Sequence, residues 1–349
     1  MKKVLSVLMA LCMAVGLVAC GTAPSSSSSA SSLSSSSQQG NEESSIPEDE
    51  KLTFRIAAMK GPTAMGIAKL MDESEWNRTP DSYQVKIYAT AQEIVPQMVQ
   101  GEIDVALLPA NVASNLYHQT EGKVQVAAIN TLGVLYMVEN GNTIQSVADL
   151  KGKTIYSTGK NNTPEYVLNY ILTQNDINPE TDVTIEYKSE ATEVAALMAE
   201  QGNEAIAVLP QPYVTIAQSE NENLRVALDL TKEWDAVSPD SSLITGVLVV
   251  NREFAQQNAK EFDLFLKQYK ESIEFAEKVP AEVAELSEHY EIVPKAGVAL
   301  KALPQCNLIY IDGDEMKTRL SGYLNVLMEQ NEKSIGGSMP KDDFYYGAK

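Results

Sequence analysis

From Leu52 onward the apolar positions fall into blocks, and each block has the period of one element. "LTFRIAA" reads as a short strand. In "MKGPTAMGIAKLMDE", which begins at Met59, Ala64, Ile67, Ala68 and Met71 recur at helical spacing, and Thr63 after Gly61-Pro62 is the expected helix start. "YQVKIYA" is a second strand, with Val85 and Ile87 two apart. "TAQEIVPQMVQG" is a helix closed by Gly101, and Pro96 inside it predicts a late start or a kink. "EIDVALLP" then runs apolar without alternation, as expected of a parallel strand covered on both faces.

The same order recurs further along. "GEIDVALLPANVA" (Gly101–Ala113) is matched by "GNEAIAVLPQPYV" (Gly202–Val214), and both the glycines (202 − 101) and the prolines Pro109 and Pro210 (210 − 109) are 101 residues apart. "KTIYSTG" at Lys153 is a strand. "NNTPEYVLNYILTQN" is a helix, with Thr163 expected as N-cap and Pro164 as first helical residue. "VTIEYKS" is a strand, "EATEVAALMAEQG" a helix closed by Gly202, and "AIAVLP" a buried strand. A shared β-α-β-α-β order with little residue identity predicts two lobes of one fold. The competing reading is a coincidence between two ordinary α/β segments.

Two segments connect the lobes, Thr131–Gly152 and Glu233–Asn251, and the strand "SLITGVLVVN" in the second should return to the first lobe's sheet. The remainder, from Arg252, is mostly helical. Phe262, Phe265, Leu266, Tyr269, Ile273 and Ala276 form one helical stripe that reads as core packing. The expected division is lobe I from 51–137 and 245–349, and lobe II from 138–244.

In open α/β sheets ligands bind beyond the carboxyl ends of the parallel strands. The candidate contacts in lobe I are Lys60, Gly61, Pro62 and Thr63, then Pro109, Ala110 and Asn111, then Asn130 and Thr131. In lobe II they are Thr158, Gly159, Lys160, Asn161, Asn162 and Thr163, then Pro210 and Gln211. A proline at a strand's carboxyl end turns the chain out of the sheet. The helix that follows then offers free N–H groups and the positive end of its dipole to an anionic or strongly accepting ligand. Asn111 and Thr63 add side-chain donors, and Lys60 is the cation directly after a lobe I strand.

The N-terminus "MKKVLSVLMALCMAVGLVACG" has two lysines, an apolar run of about 16 residues from Val4 to Ala19, and small residues before Cys20. This is the pattern of a secretory signal over 1–19, and the run is shorter than the roughly 20 residues of a membrane span. "LVAC" resembles the lipobox of bacterial lipoproteins, in which the cysteine is acylated; an ordinary signal peptide with an incidental cysteine is the alternative. The serine-rich stretch over 20–50 buries nothing and reads as a disordered tether. Its r.m.s. reach is about 30 Å. The chain has net charge −20, and losing Lys2 and Lys3 with the signal makes it −22. Such an acidic body is a poor partner for nucleic acid, and the tether holds it clear of an anionic leaflet. Of three cysteines, Cys12 leaves with the signal and Cys20 takes the lipid, so Cys306 has no partner and reads as a small buried residue.

Catalytic equipment is sparse. His118 in "LYHQT" and His289 in "SEHYE" fall in polar helical segments and read as solvated. No Cys/His cluster has metal-ligand spacing, and neither G-x-S-x-G nor a phosphate-cradling loop occurs; "GKT" at Gly152 precedes a strand. No cofactor or metal is expected.

A lipobox, a serine-rich tether and two duplicated lobes joined by two crossings together resemble the type II solute-binding proteins of ABC importers. "MKGPTAMG", "SVADLKGKTIY", "NTPEYVLNYIL", "LDLTKEW" and "SIGGSMPKDDFYY" are similar to the nitrate, sulfonate, taurine and thiamine-pyrimidine-precursor binders. The resemblance covers about Leu52 to Tyr346. It implies an α/β, periplasmic-binding-protein-like fold of two lobes, each a mainly parallel sheet flanked by helices, with the two crossings as hinge. It further implies a small solute held in the cleft, delivery to a membrane ABC permease, and a monomer anchored through Cys20 on the extracytoplasmic face of the cell membrane. The chain departs from the sulfonate and nitrate pattern in having no arginine or second lysine beside Asn111 or Gln211, and from pyrimidine binders in having few aromatics there. Two other readings stay open: an enzyme of the same fold, making pyrimidine or menaquinone precursors, and a tethered sensor with an empty cleft.

Overall fold

The computed structural model describes residues 51–200, 205–239 and 241–349. The signal sequence, Cys20, the tether and Gly202 lie outside the described residues. Eleven strands occur among the described residues: β1 Thr53–Met59, β2 Ser82–Tyr88, β3 Val105–Pro109, β4 Val124–Leu132, β5 Leu135–Glu139, β6 Thr154–Ser157, β7 Thr184–Tyr187, β8 Ile206–Pro210, β9 Arg225–Asp229, β10 Ile244–Asn251 and β11 Leu308–Ile311. They make a six-stranded sheet, β11-β4-β10-β3-β1-β2, and a five-stranded sheet, β7-β6-β8-β5-β9.

The 101-residue offset is visible in the strands. β6 begins 101 residues after β1 (154 − 53), and β8 lies 101 residues after β3 at both ends (206 − 105 and 210 − 109). β3 is covered on both faces, as its unbroken apolar run predicts: Ala106 and Leu108 belong to one core cluster, Val105 and Leu107 to another. β8 repeats this, with Ile206 and Val208 on one side and Ala207 and Leu209 on the other.

Each sheet is mixed. β1 pairs in parallel with β2 and β3, and β6 with β7 and β8. A reversed strand is inserted beside each proline-ended strand: β10 runs antiparallel between β3 and β4, and β5 antiparallel between β8 and β9. Most strands in each sheet therefore share one direction, yet among the described residues only the β2-β1-β3 and β7-β6-β8 ladders are hydrogen-bonded in parallel. β10 and β5 are the strands that have crossed from the other sheet; β11, at the edge of the six-stranded sheet, is also antiparallel to its neighbour β4. β10 is the expected returning strand. β5 is its counterpart, and because all of it pairs in the five-stranded sheet, the division expected at 137/138 runs through a strand. The chain changes sheets at Gly133 and Val134, between β4 and β5.

Three local expectations are corrected. The helix from Met59 is two helices, Pro62–Met65 and Ala68–Glu75. Ser272 Oγ donates to the Gly66 carbonyl at 2.7 Å and accepts from the Leu70 N–H at 3.1 Å, so a hydroxyl from a neighbouring helix takes the place of an i→i−4 bond. The helix Ala91–Gln100 starts without delay at a Thr90/Glu93 capping box and holds Pro96 inside it. The helix Thr163–Gln174 has Asn162, not Thr163, as its N-cap, which puts Pro164 second. The stripe from Phe262 to Ala276 is buried along the helix Ala259–Lys278, as core packing requires.

Candidate functional site

The carboxyl ends of β1, β3, β6 and β8 carry the residues that meet between the sheets. After β1, Gly61 adopts φ 100°, a conformation that favours glycine. Its N–H bonds to the Ile292 carbonyl at 3.2 Å. That turn places Pro62 and Thr63 in the next helix, both buried, with Thr63 Oγ1 donating to the Met59 carbonyl at 3.3 Å. Lys60 is exposed. After β3, Pro109 is the N-cap of the helix Ala110–Gln119, and Asn111 in its first turn is 4% exposed.

Asn111 is the link between the two sheets. Its Nδ2 donates to Asn162 Oδ1 at 3.3 Å, and its Oδ1 accepts from Thr163 Oγ1 at 3.2 Å. Asn162 and Thr163 start the helix that follows β6. Thr158 is buried beneath them, and Gly159 (φ 70°) and Asn161 (φ 61°) turn the chain into the cap. Lys160 and Asn161 are exposed and directed elsewhere: the Lys160 ammonium lies 5.8 Å from the Tyr187 ring, and the Asn161 N–H bonds to the Glu165 carboxylate. The helix start also has fewer free N–H groups than its dipole suggests. Pro164 has none, and those of Glu165 and Tyr166 already bond to the Asn162 carbonyl at 3.1 and 3.2 Å.

A second tie lies after β8. Pro210 pairs with Leu135, and the Gln211 N–H bonds to the Val134 carbonyl at 3.0 Å. Gln211 Nε2 donates to Gln305 Oε1 at 2.7 Å, while the Tyr136 hydroxyl donates to the Gln305 carbonyl at 2.9 Å. Gly61 and Pro212 also meet: a Cβ on Gly61 would lie 3.8 Å from Pro212 Cδ. A groove of about 430 Å³ opens beside this contact, with Lys60, Glu288 and Ile292 on one side and Pro212 and Tyr213 on the other.

Asn130 and Thr131 are buried at the end of β4, where Thr131 Oγ1 donates to Asn130 Oδ1 at 2.9 Å. Gly246 of β10 lies directly against them. A Cβ there would fall on Asn130 Oδ1 and come within 2.6 Å of Thr63 Cγ2. Asn130 Nδ2, Thr231 Oγ1, Thr245 Oγ1, Tyr269 OH and Tyr323 OH are buried without a hydrogen-bond partner among the described residues. The Tyr269 hydroxyl faces Asn130 and that of Tyr323 faces Thr163, but neither pair reaches hydrogen-bond geometry. Burial pushes both phenols well above their ordinary range, so they remain protonated donors.

Thr231, Thr245, Gly246, Gln305 and Tyr323 were not marked by the strand-end rule. Thr245 and Gly246 lie in the strand "SLITGVLVVN", beside the reversed pairing that brings them to the seam, and Gln305 and Tyr323 arrive from the helical remainder. The histidines lie away from the seam. His118 is half-buried rather than solvated, at the far end of its helix from Asn111, with Nε2 2.8 Å from the Ser338 carbonyl. His289 is exposed and 3.9 Å from Glu75. Cys306 is buried, its thiol pushed up to about 12 by burial. No group of three or more potential metal ligands occurs among the described residues.

Two sheets joined by exchanged strands, with buried polar side chains converging between their carboxyl ends, define a two-lobed solute-binding architecture. The family model of the ABC transporter phosphonate periplasmic substrate-binding proteins matches residues 75–286, more than half of the chain, and the chain belongs to that family. It is the substrate-binding component of an ABC import system. Among solved structures it is similar to an ABC transporter from Parabacteroides distasonis, at 22% identity over 84% of this chain and 99% of that one, with a TM-score of 0.70. It is also similar to the periplasmic aliphatic sulphonate binding protein SsuA from Escherichia coli (16% identity, 83% and 92% covered, TM-score 0.66). A third is the alkanesulfonate-binding protein SsuA from Xanthomonas axonopodis pv. citri bound to MOPS (14% identity, 83% and 96% covered, TM-score 0.62). No curated protein matches the sequence. No helix among the described residues is long and apolar enough to cross a membrane.

Proposed function

We propose that the chain captures a small organic oxyanion, with a phosphonate- or sulfonate-like head, between its two lobes and hands it to a membrane permease. The observation that carries this reading is the Asn111 bridge to Asn162 and Thr163, which joins the starts of two helices from different sheets. Both helix starts direct positive potential toward that point. The family's description names phosphonate, and two similar structures are named for sulfonates; the two head groups share tetrahedral geometry and exposed acceptor oxygens. Thr63, Asn111, Asn130, Thr131, Asn162, Thr163 and Gln211 are the proposed contacts. Pro62, Pro109, Ala110, Thr158, Gly159 and Pro210 shape the loops that hold them.

All of those side chains are neutral, so the head group's charge is met by dipoles and hydrogen bonds, with Lys60 acting from the rim. A ligand touching both lobes stabilises the closed arrangement by its differential affinity for it. The chain works as a monomer, lipid-anchored through Cys20 on the extracytoplasmic face. Thermal-shift and titration screens with methylphosphonate, methanesulfonate, nitrate and a pyrimidine test the reading. Binding at 100-fold above Kd stabilises the fold by about 2.7 kcal/mol. A shift with the pyrimidine and none with either oxyanion would sink it.

A further inference from the structure

We propose that the phenol of Tyr323 is a ligand-binding residue that donates a hydrogen bond to the oxyanion head at the start of the helix Thr163–Gln174. The inference rests on the oxyanion reading above and adds a contact from the far end of the chain. Tyr323 belongs to the helix Gly313–Gln330, which follows β11 of the six-stranded sheet. Its ring packs 5.6 Å from Trp234, which belongs to the helix Leu230–Val237 after β9 of the five-stranded sheet. Trp234 in turn packs 4.6 Å from Tyr170, on the helix that Thr163 begins. The ring is thus packed on Trp234 within the core, and its residue is 0% exposed.

The hydroxyl has no such support. It is buried without a hydrogen-bond partner among the described residues and faces Thr163, whose own hydroxyl is already given to Asn111. A phenylalanine would fill the same space without burying an unpaired polar atom, so the oxygen is a net cost until a ligand atom meets it. The helix start needs such a donor. Pro164 carries no N–H, and those of Glu165 and Tyr166 are taken by the Asn162 carbonyl. Both polar ends of the Asn111 side chain are likewise engaged. Few main-chain donors therefore remain at this helix start, and the Tyr323 phenol is a buried, unpaired side-chain donor beside it.

The test is Tyr323→Phe in the full-length protein, titrated with methylphosphonate and with methanesulfonate, beside Asn111→Ala. The ring is kept, so the Trp234 contact and the fold are retained. The expected result is affinity weakened roughly ten- to a hundred-fold, the range for a hydrogen bond to a charged group, with the ligand-free melting temperature unchanged or raised. Wild-type affinity in Tyr323→Phe, with binding lost in Asn111→Ala, overturns the role of Tyr323 and leaves the oxyanion site standing. A ligand-free melting temperature lowered by several degrees shows that the hydroxyl is structural and also overturns it. Failure of the wild-type protein to bind either probe overturns both readings.

Discussion

Asn111 Nδ2 lies 3.3 Å from Asn162 Oδ1, so two residues 51 apart in the chain, each in the first turn or cap of its helix, join the two sheets. With Thr163 Oγ1 closing on Asn111 Oδ1, the amide is held at both ends and its orientation is fixed. Asn111→Ala removes this bridge from the proposed site and is expected to weaken binding of the best oxyanion by at least about tenfold, the scale of one charge-assisted bond.

Lys60 offers a contrast. Its ammonium is on the exposed rim, so Lys60→Ala is expected to lower affinity less than about threefold at physiological salt, where a Debye length of about 8 Å screens it. The loss should grow at low ionic strength. Isothermal titration at two salt concentrations measures both variants, and a larger, salt-independent loss for Lys60→Ala would place the head group at the rim.

Gly246 lies where Asn130 and Thr63 leave no room for a side chain. Gly246→Ala must displace one or both, and overpacking of this kind costs about 1–3 kcal/mol. Reduced melting temperature together with weakened solute binding is the expected outcome in calorimetry. A variant with wild-type values of both would show that the seam yields without cost.

Glu139 predicts an acid dependence of stability. Burial pushes its carboxyl up. Hydrogen bonds from the hydroxyl and N–H of Thr143 (both 2.6 Å), the Ile144 N–H (3.2 Å) and Arg225 (2.6 Å) outweigh burial and hold it below the usual carboxylate range. A value lowered on folding means that the contribution is complete above the unfolded carboxylate pKa, about 4.3, and is lost as pH falls through the folded one. Glu139→Gln should melt lower than wild type at pH 7, and the gap should narrow below about pH 4. Parallel melting curves between pH 7 and 3 would assign the acid sensitivity to other groups.

Cys20 lies outside the described residues, and its role is tested in cells. Stable anchoring takes more than one acyl chain, so Cys20→Ser should move the protein from the membrane fraction to the medium or periplasm. Retention of the variant in membranes at normal levels would argue for a different attachment.

Much of the scaffold was legible in the chain. β3 and β8 were marked by unbroken apolar runs ending at Pro109 and Pro210, because a strand covered on both faces cannot alternate; each proline is the last residue of its strand, paired with Gly246 and Leu135 respectively. The position of Asn111 after the first of them followed from the same rule. The Thr163 cap was misplaced by one residue because Asn162 and Thr163 are both competent caps, and only the backbone shows that Asn162 is the extended one (φ −138°, ψ −179°).

The sequence by itself determined the element order, the two-fold repetition and the loops that end each parallel strand, since periodicity and turn chemistry act over a few residues. Tertiary structure alone decided that β5 crosses as the counterpart of β10 and that Gly246 sits against Asn130. It also decided that Gln305 meets Gln211, and that Tyr323 reaches the helix started by Thr163. Those relations join residues tens to more than a hundred positions apart. Such pairings depend on how whole faces pack and which polar atoms that packing leaves unpaired, and no local pattern of side chains encodes them.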